Sequence, residues 1–129
     1  AATGLTLRRH PVALLRTRLD ALKVRRAVDL ERLPGGRRVK VAGLVINRQR
    51  PQTANGTVFM TLEDETGAHN LIVWRSVMET HRRAALHASF LVVSGELQKS
   101  GGTTHVVAQR FEDLSAWIGE LDVASRDFH

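Results

Sequence analysis

Glu63-Asp64-Glu65 is the only acidic cluster in this chain of 129 residues. Two-metal nucleotidyl transfer needs carboxylates that converge on a pair of ions. The aspartates are Asp20, Asp29, Asp64, Asp113, Asp122 and Asp127, and no two of them form an Asp-x-Asp pair. Glu63 and Glu65 are spaced to share one face of a strand, but Thr66-Gly67 follows at once. Asp and Gly are wanted in tight turns for backbone reasons, so the cluster reads as a turn rather than a metal site. The six histidines show no ligand spacing. His81 and His87 fall on or beside a helix and His105 in a strand, and they read as surface or interface groups. P-loop, G-x-S-x-G and H-E-x-x-H motifs are all missing from the sequence. Zero cysteine removes thiol catalysis, Cys-based zinc and disulfide frameworks. Nothing here supports catalysis by this segment, and neither a cofactor nor a metal is expected in it.

The remaining chemistry is that of cations and aromatics. Arg48 and Arg50 bracket Gln49 just before Pro51, and Lys99 precedes Ser100-Gly101-Gly102. Phe59 stands between two threonine-flanked positions, with Thr57 before it and Thr61 after it. Trp74 is followed by Arg75. Cations on flexible loops suit a phosphodiester backbone. A base stacked on an aromatic ring gains roughly 1–3 kcal/mol. Phe59 could instead pack under a loop, and Trp74 is read first as packing on the helix that follows it. Aromatics make up only 5% of the chain and none is tyrosine. Any binding is therefore expected to be weak, sequence-tolerant and dominated by phosphate contacts.

Composition bounds the rest. The 19 Lys+Arg exceed the 13 Asp+Glu by six, and 43% of residues are hydrophobic. That length and composition fit one domain with appendages and exclude disordered, collagenous and coiled-coil classes. No apolar run approaches the roughly 20 residues of a membrane span. The start, Ala1-Ala2-Thr3-Gly4, has neither the features of a secretory signal nor an initiator Met, so a piece of a larger protein is expected. The charge is uneven. Residues 1–38 carry a net +7, residues 39–113 a net +1 and residues 114–129 a net −2.

The elements that must position these residues follow from periodicity. His10-Pro11 is a good helix start, and Val12, Leu15, Leu19 and Leu22 recur at helical spacing. Arg16, Arg18 and Lys23 then read as a solvated face. Pro34-Gly35-Gly36 is a turn. Arg38–Arg50 is a long β-branched strand in which Gly43 predicts a bulge or coil. Thr57–Glu63 alternates, Ala68–Trp74 is a third strand, and Ser76 with Glu79 forms a capping box for a helix. Ala88–Leu97 and Thr103–Phe111 are further strands. Leu114, Trp117, Ile118 and Leu121 give a short last helix.

Three strands, a helix and two strands, with a long glycine-bearing first strand, is the element order of an OB-fold. The fold class expected is mainly β: a five-stranded Greek-key barrel with a helix between strands 3 and 4. A basic helical lead-in (1–38) precedes the barrel (39–113), and a short helix and tail (114–129) follow it. OB-folds bind single strands on the face of strands 2 and 3, flanked by the loops between strands 1 and 2 and between 4 and 5. Arg48 and Arg50 map to the first loop and Lys99 to the second. Phe59, Thr61, Arg75 and His105 complete the expected DNA-binding set. The final helix and tail offer an alternative, a protein-docking surface of Trp117, Leu121 and Phe128. An OB domain of an aminoacyl-tRNA synthetase is a third reading.

Val41-Ala42-Gly43-Leu44-Val45, Arg48-Gln49-Arg50-Pro51, the run from Phe59 to Gly67 and Ile72-Val73-Trp74 together resemble the C-terminal region of error-prone DNA polymerases of the C family. These are damage-induced relatives of the bacterial replicative polymerase III alpha subunit. The lead-in Thr3 to Pro11 and the ending Ser125-Arg126-Asp127-Phe128-His129 resemble the same family, so the likeness runs over essentially the whole chain. It implies a DNA-directed DNA polymerase as parent, acting in translesion synthesis and SOS mutagenesis in the bacterial cytoplasm. It implies palm aspartates and Mg2+ outside this segment. It further implies single-stranded template as ligand, and a Y-family-like mutasome protein and the sliding clamp as partners, with no membrane.

Overall fold

Period-two alternation builds the sheet. Val58, Met60, Leu62 and Asp64 point inward, while Phe59, Thr61 and Glu63 do not. The computed structural model describes residues 10–49 and 56–126. Five strands close into a barrel: β1 (Arg38–Gln49), β2 (Val58–Asp64), β3 (Gly67–Val73), β4 (Phe90–Ser100) and β5 (Thr103–Asp113), in the order β1-β2-β3-β5-β4. All neighbours are antiparallel except β3 and β5. Two short helices, α4 (Arg75–Thr80) and α5 (Arg82–His87), sit between β3 and β4. This is the OB barrel expected from the element order.

The long first strand serves two partners. Its first half, Arg38 to Leu44, pairs with β4, and its second half, Leu44 to Gln49, pairs with β2. Gly43 stands just before the changeover. A Cβ there would lie 2.7 Å from the Glu63 carbonyl oxygen, so only glycine lets the strands come this close. The bulge itself falls later, between Val45 and Asn47. The helix start also differs from expectation. Trp74, not Ser76, is the N-cap, no side chain caps α4, and Glu79 pairs with Arg75 (3.1 Å) rather than closing a capping box.

The barrel encloses one apolar cluster and supports a second outside it. Met60, Leu62, Leu71, Val93 and Leu97 are among the inner residues. Outside, Ala42, Phe90 and Val92 of β1 and β4 meet Val12, Leu15, Leu19 and Val24 of the lead-in. The lead-in forms α1 (Pro11–Leu14), α2 (Arg16–Ala21) and α3 (Ala27–Leu30). His10 caps α1 through Nδ1, which accepts from Val12 N–H at 3.1 Å. Leu114 and the last helix, α6 (Ser115–Arg126), with its Trp117, Ile118 and Leu121, add to the same outer cluster.

The acidic turn fastens the lead-in to the barrel. Asp64 is 2% exposed. Its Oδ1 accepts from Thr66 N–H (2.7 Å), Thr66 Oγ1 (2.8 Å) and Gly67 N–H (3.0 Å). Its Oδ2 accepts from Ala27 N–H of the lead-in (2.8 Å) and from Nε2 of the buried His69 (2.7 Å). On either side, Glu63 bonds His10 (3.1 Å) and Glu65 takes both Arg16 donors at 2.7 Å. Burial works to raise the Asp64 pKa, but the bonds from His69 and Thr66 outweigh it and hold the carboxyl below the usual range. A carboxyl depressed in the folded state stabilises the fold above its unfolded pKa of about 3.9 and loses that contribution as pH falls below it. Asp64→Asn should therefore cost about 3 kcal/mol in urea unfolding at pH 7. The gap to the parent chain should narrow at pH 3; equal stability at pH 7 would contradict this account.

Candidate nucleic-acid interface

The outer face of the β1–β2–β3–β5 wall is ordered by its register. One row runs Gln49, Phe59, Ile72, Val107, each the direct partner of the next. The row beside it runs Asn47, Thr61, Asn70. Phe59 is 38% exposed and Trp74 is 52% exposed. Along β3, Asn70 and Ile72 alternate with the inward His69, Leu71 and Val73, and Trp74 comes just past the strand end. Trp74 follows directly after Val73, the strand partner of Val58, and so leaves the sheet one residue beyond the β2–β3 pairing. Trp74, which the sequence suggested would pack on the following helix, is the N-cap of that helix and leaves about half of its surface exposed. The face offers two open aromatic rings beside amide and hydroxyl groups.

The cations expected around this face are placed differently from one another. The Arg48 guanidinium turns to the end of α5, where Nε donates to the Ala85 carbonyl (2.6 Å) and an Nη donates to the Ala88 carbonyl. Those carbonyls have no partner within the helix, so Arg48 closes the helix terminus. Burial lowers its pKa from the ordinary arginine value. Lys99 Nζ donates to the Glu31 carbonyl after α3, at 2.7 Å. Arg75 is exposed, lies over Gly56 and donates to Glu79. His105 is half-buried on β5, opposite Gln98. Arg50 lies outside the described residues.

The expected docking residues have neighbours of their own. Trp117 packs against Phe90, with ring centroids 6.5 Å apart, and Arg18 covers it at 3.9 Å from the ring centroid. Arg18 also donates to Glu120 (3.2 Å). Leu121 is partly buried in the same cluster. Phe128 lies outside the described residues. Among the described residues, no three His, Asp or Glu side chains are grouped to hold a metal. Asp64 in particular has both oxygens occupied by donors. His69, which the sequence reading did not single out, is buried. It is 1% exposed, and its phase with Leu71 and Val73 was the signal for that.

A family model described as an OB-fold nucleic acid binding domain matches residues 39–114. The chain belongs to this family. Two curated relatives are error-prone DNA polymerases. That of Alkalilimnicola ehrlichii is 55% identical over 126 residues, covering 98% of this chain and 12% of the relative. That of Methylococcus capsulatus is 53% identical over 128 residues, covering 99% and 12%. The likeness first seen in the motifs therefore extends through the whole chain, and the chain spans about an eighth of the length of these relatives. Among solved structures, asparaginyl-tRNA synthetase from Pyrococcus horikoshii superposes with a TM-score of 0.52 at 23% identity, over 62% of this chain and 20% of that one. At that identity the likeness is one of OB-fold architecture alone.

In this OB-fold domain Arg48 lies on β1 opposite Met60, not in the loop to which the sequence assigned it, and it has a structural task there. Arg48→Ala should lower stability by about 1–2 kcal/mol, because it strands carbonyls at a helix end. Urea midpoints would show it, and an unchanged midpoint would refute the assignment.

Proposed function

We propose that this OB-fold domain is a non-catalytic module of an error-prone DNA polymerase and holds single-stranded template DNA on the outer face of β2 and β3. The observation that carries the reading is the pair of exposed rings, Phe59 and Trp74, on the face that OB-folds use for single strands. Unstacked bases lie flat on such rings, which discriminates little between sequences. Asn47, Thr61 and Asn70 form the polar row beside them and can bond base edges or sugar oxygens. Arg75 stands next to Trp74 with 71% of its side chain exposed, within the range of a phosphate. The names of the relatives support the polymerase context. On this reading, nucleotidyl transfer and its Mg2+ ions belong to another part of the parent, because the one acidic cluster here is committed to the turn and the lead-in.

Stacking predicts a distinctive response. Phe59→Ala or Trp74→Ala should each weaken binding to a fluorescein-labelled oligo(dT) by about 1–3 kcal/mol, roughly 5- to 150-fold. The dependence of affinity on salt should stay the same, since no phosphate contact is lost. Fluorescence anisotropy against salt measures both. Two alanine variants that bind as tightly as the parent chain would remove this face from consideration.

A further inference from the structure

A groove of about 630 Å3 lies on the other side of the barrel, at the seam with the lead-in. Five cations line it: Lys23, Arg25, Arg38, Lys40 and Arg110. They come from the lead-in, β1 and β5. None of the lining residues is acidic. Glu96, the cross-strand partner of Arg38, lies outside the lining.

The way the groove is built has a physical reason. The first half of β1 pairs with β4 on one side only, because its pairing with β2 begins at Leu44. The open edge is taken by the lead-in. Arg25 N–H donates to the Lys40 carbonyl at 2.7 Å, and Arg25 forms a parallel bridge with Val41. One wall of the groove is thus tied to the strand by backbone bonds, independent of any side-chain charge. On the facing strands, the β4–β5 register shifts between Ser94 and Gly95, a bulge that re-aims the side chains around it.

Two features of these cations bear on what they do. Among the described residues, Arg16, Arg18, Arg26 and Arg75 each have a carboxylate within 4 Å. The five groove cations have none, a lack they share with Arg32, Arg37, Arg48, Arg82, Arg83 and Lys99, but these five are gathered in one groove; the side-chain bond of Arg38 goes to the amide oxygen of Gln109 (2.9 Å). Like charges gathered without partners repel one another, so this arrangement works against folding. Second, Lys23 has φ +63°, and it is the one described non-glycine residue with positive φ. It closes α2, with Lys23 N–H bonded to the Asp20 carbonyl and Val24 N–H to that of Leu19. Glycine is the usual residue at such a position. Here a cation occupies it at a conformational cost, and that cation lines the groove. Backbone strain retained at one place is a pointer to function.

We propose that this groove is a second nucleic-acid site, which takes the phosphodiester backbone of DNA and is separate from the stacking face of β2 and β3. A phosphate chain supplies the anions that five unpartnered cations lack, and it needs no aromatic platform. The site neutralises charge where the other face stacks bases. The two do not depend on each other.

The test uses the 129-residue chain, a labelled 20-nucleotide single strand and the corresponding 20-base-pair duplex, with anisotropy followed against salt. Arg38→Gln with Arg110→Gln removes two cations. The log–log salt slope should then shallow by about 1.4 on the single strand and about 1.8 on the duplex, from about 0.7 and 0.9 per lost contact. Whichever DNA shows the larger loss of affinity is the form the groove takes. Lys23→Gly is the second variant. It should melt no lower than the parent chain and yet bind DNA more weakly, an opposition that general unfolding does not produce. An unchanged slope in the double variant overturns the proposal, as does a parent chain that binds neither DNA at low salt. Stronger capture of polyglutamate than of either DNA also overturns it, in favour of an acidic protein surface. Phe59→Ala keeps the two readings apart. If it has no effect while the double variant does, the stacking face fails and the groove stands.

Discussion

The Asp64 carboxylate, buried and bonded by five donors, is the contact on which the rest of the arrangement depends. A buried carboxylate is tolerated only when its lone pairs are filled, and here each oxygen has more than one donor. Three donors come from the turn itself and fix its shape. One comes from His69 at the start of β3 and fixes the hairpin. One comes from the backbone of Ala27 and fixes the lead-in. The same turn adds Glu63 to His10 and Glu65 to Arg16, so three consecutive acids hold a segment that begins more than fifty residues earlier. With the lead-in seated there, Val12, Leu15 and Leu19 cover Phe90 and Val92 on the outside of the barrel.

This docking divides the barrel's exterior. Around Ala42, Phe90 and Val92 the outer side of β1 and β4 is covered by the lead-in and by α6, and its aromatic contacts are internal: Phe90, Trp117 and Arg18 pack in turn. Among the described residues the outer side of β2 and β3 has no such cover, and Phe59 is exposed there. An aromatic side chain left open to water forgoes the burial that rewards it elsewhere in the same molecule. Docking also sorts the charges. Arg16 and Arg18 of the basic helix are matched inside the fold, whereas Lys23 and Arg25, just past its end, are not. The net charge of +6 is thus a poor guide, since it adds matched and unmatched cations alike.

How much of this could be read in the sequence depends on the range of the interaction. The barrel and its helical insertion were legible, because period-two runs broken by turn residues are local signals. The inward position of Asp64 was also legible, since it continues Val58, Met60 and Leu62; His69 likewise continues into Leu71 and Val73. What was not legible is that the two side chains meet, which depends on hairpin register, or that Ala27 meets them, which depends on the fold. Arg48 shows the same limit. Its type and the loop assigned to it suggested a phosphate, but helix-end carbonyls and phosphate oxygens are both acceptors for a guanidinium, and only the position of α5 decides between them. The capping box at Ser76 misled for a different reason. The chain leaves β3 already in the extended conformation an N-cap requires, so Trp74 takes that position and Ser76 falls inside the helix.

The placement of cations on this molecule argues for two distinct contributions to nucleic-acid binding. Arg48 and Lys99 are turned to backbone carbonyls, so that among the described residues of the expected set Arg75 is the arginine left beside the rings. Such a face gains from stacking, which salt barely alters. On the seam with the lead-in the reverse holds: cations without carboxylates and without rings, whose attraction for phosphate falls steeply with salt. A single patch that did both would bind more tightly but would lose both terms to one conformational change. With the terms on opposite sides, the lead-in becomes the controlling element. It builds one wall of the groove through Arg25 and is held by the Asp64 turn at the end of the strand that carries Phe59. Any displacement of the lead-in would dissolve the charged groove while leaving the stacking rings where the barrel puts them.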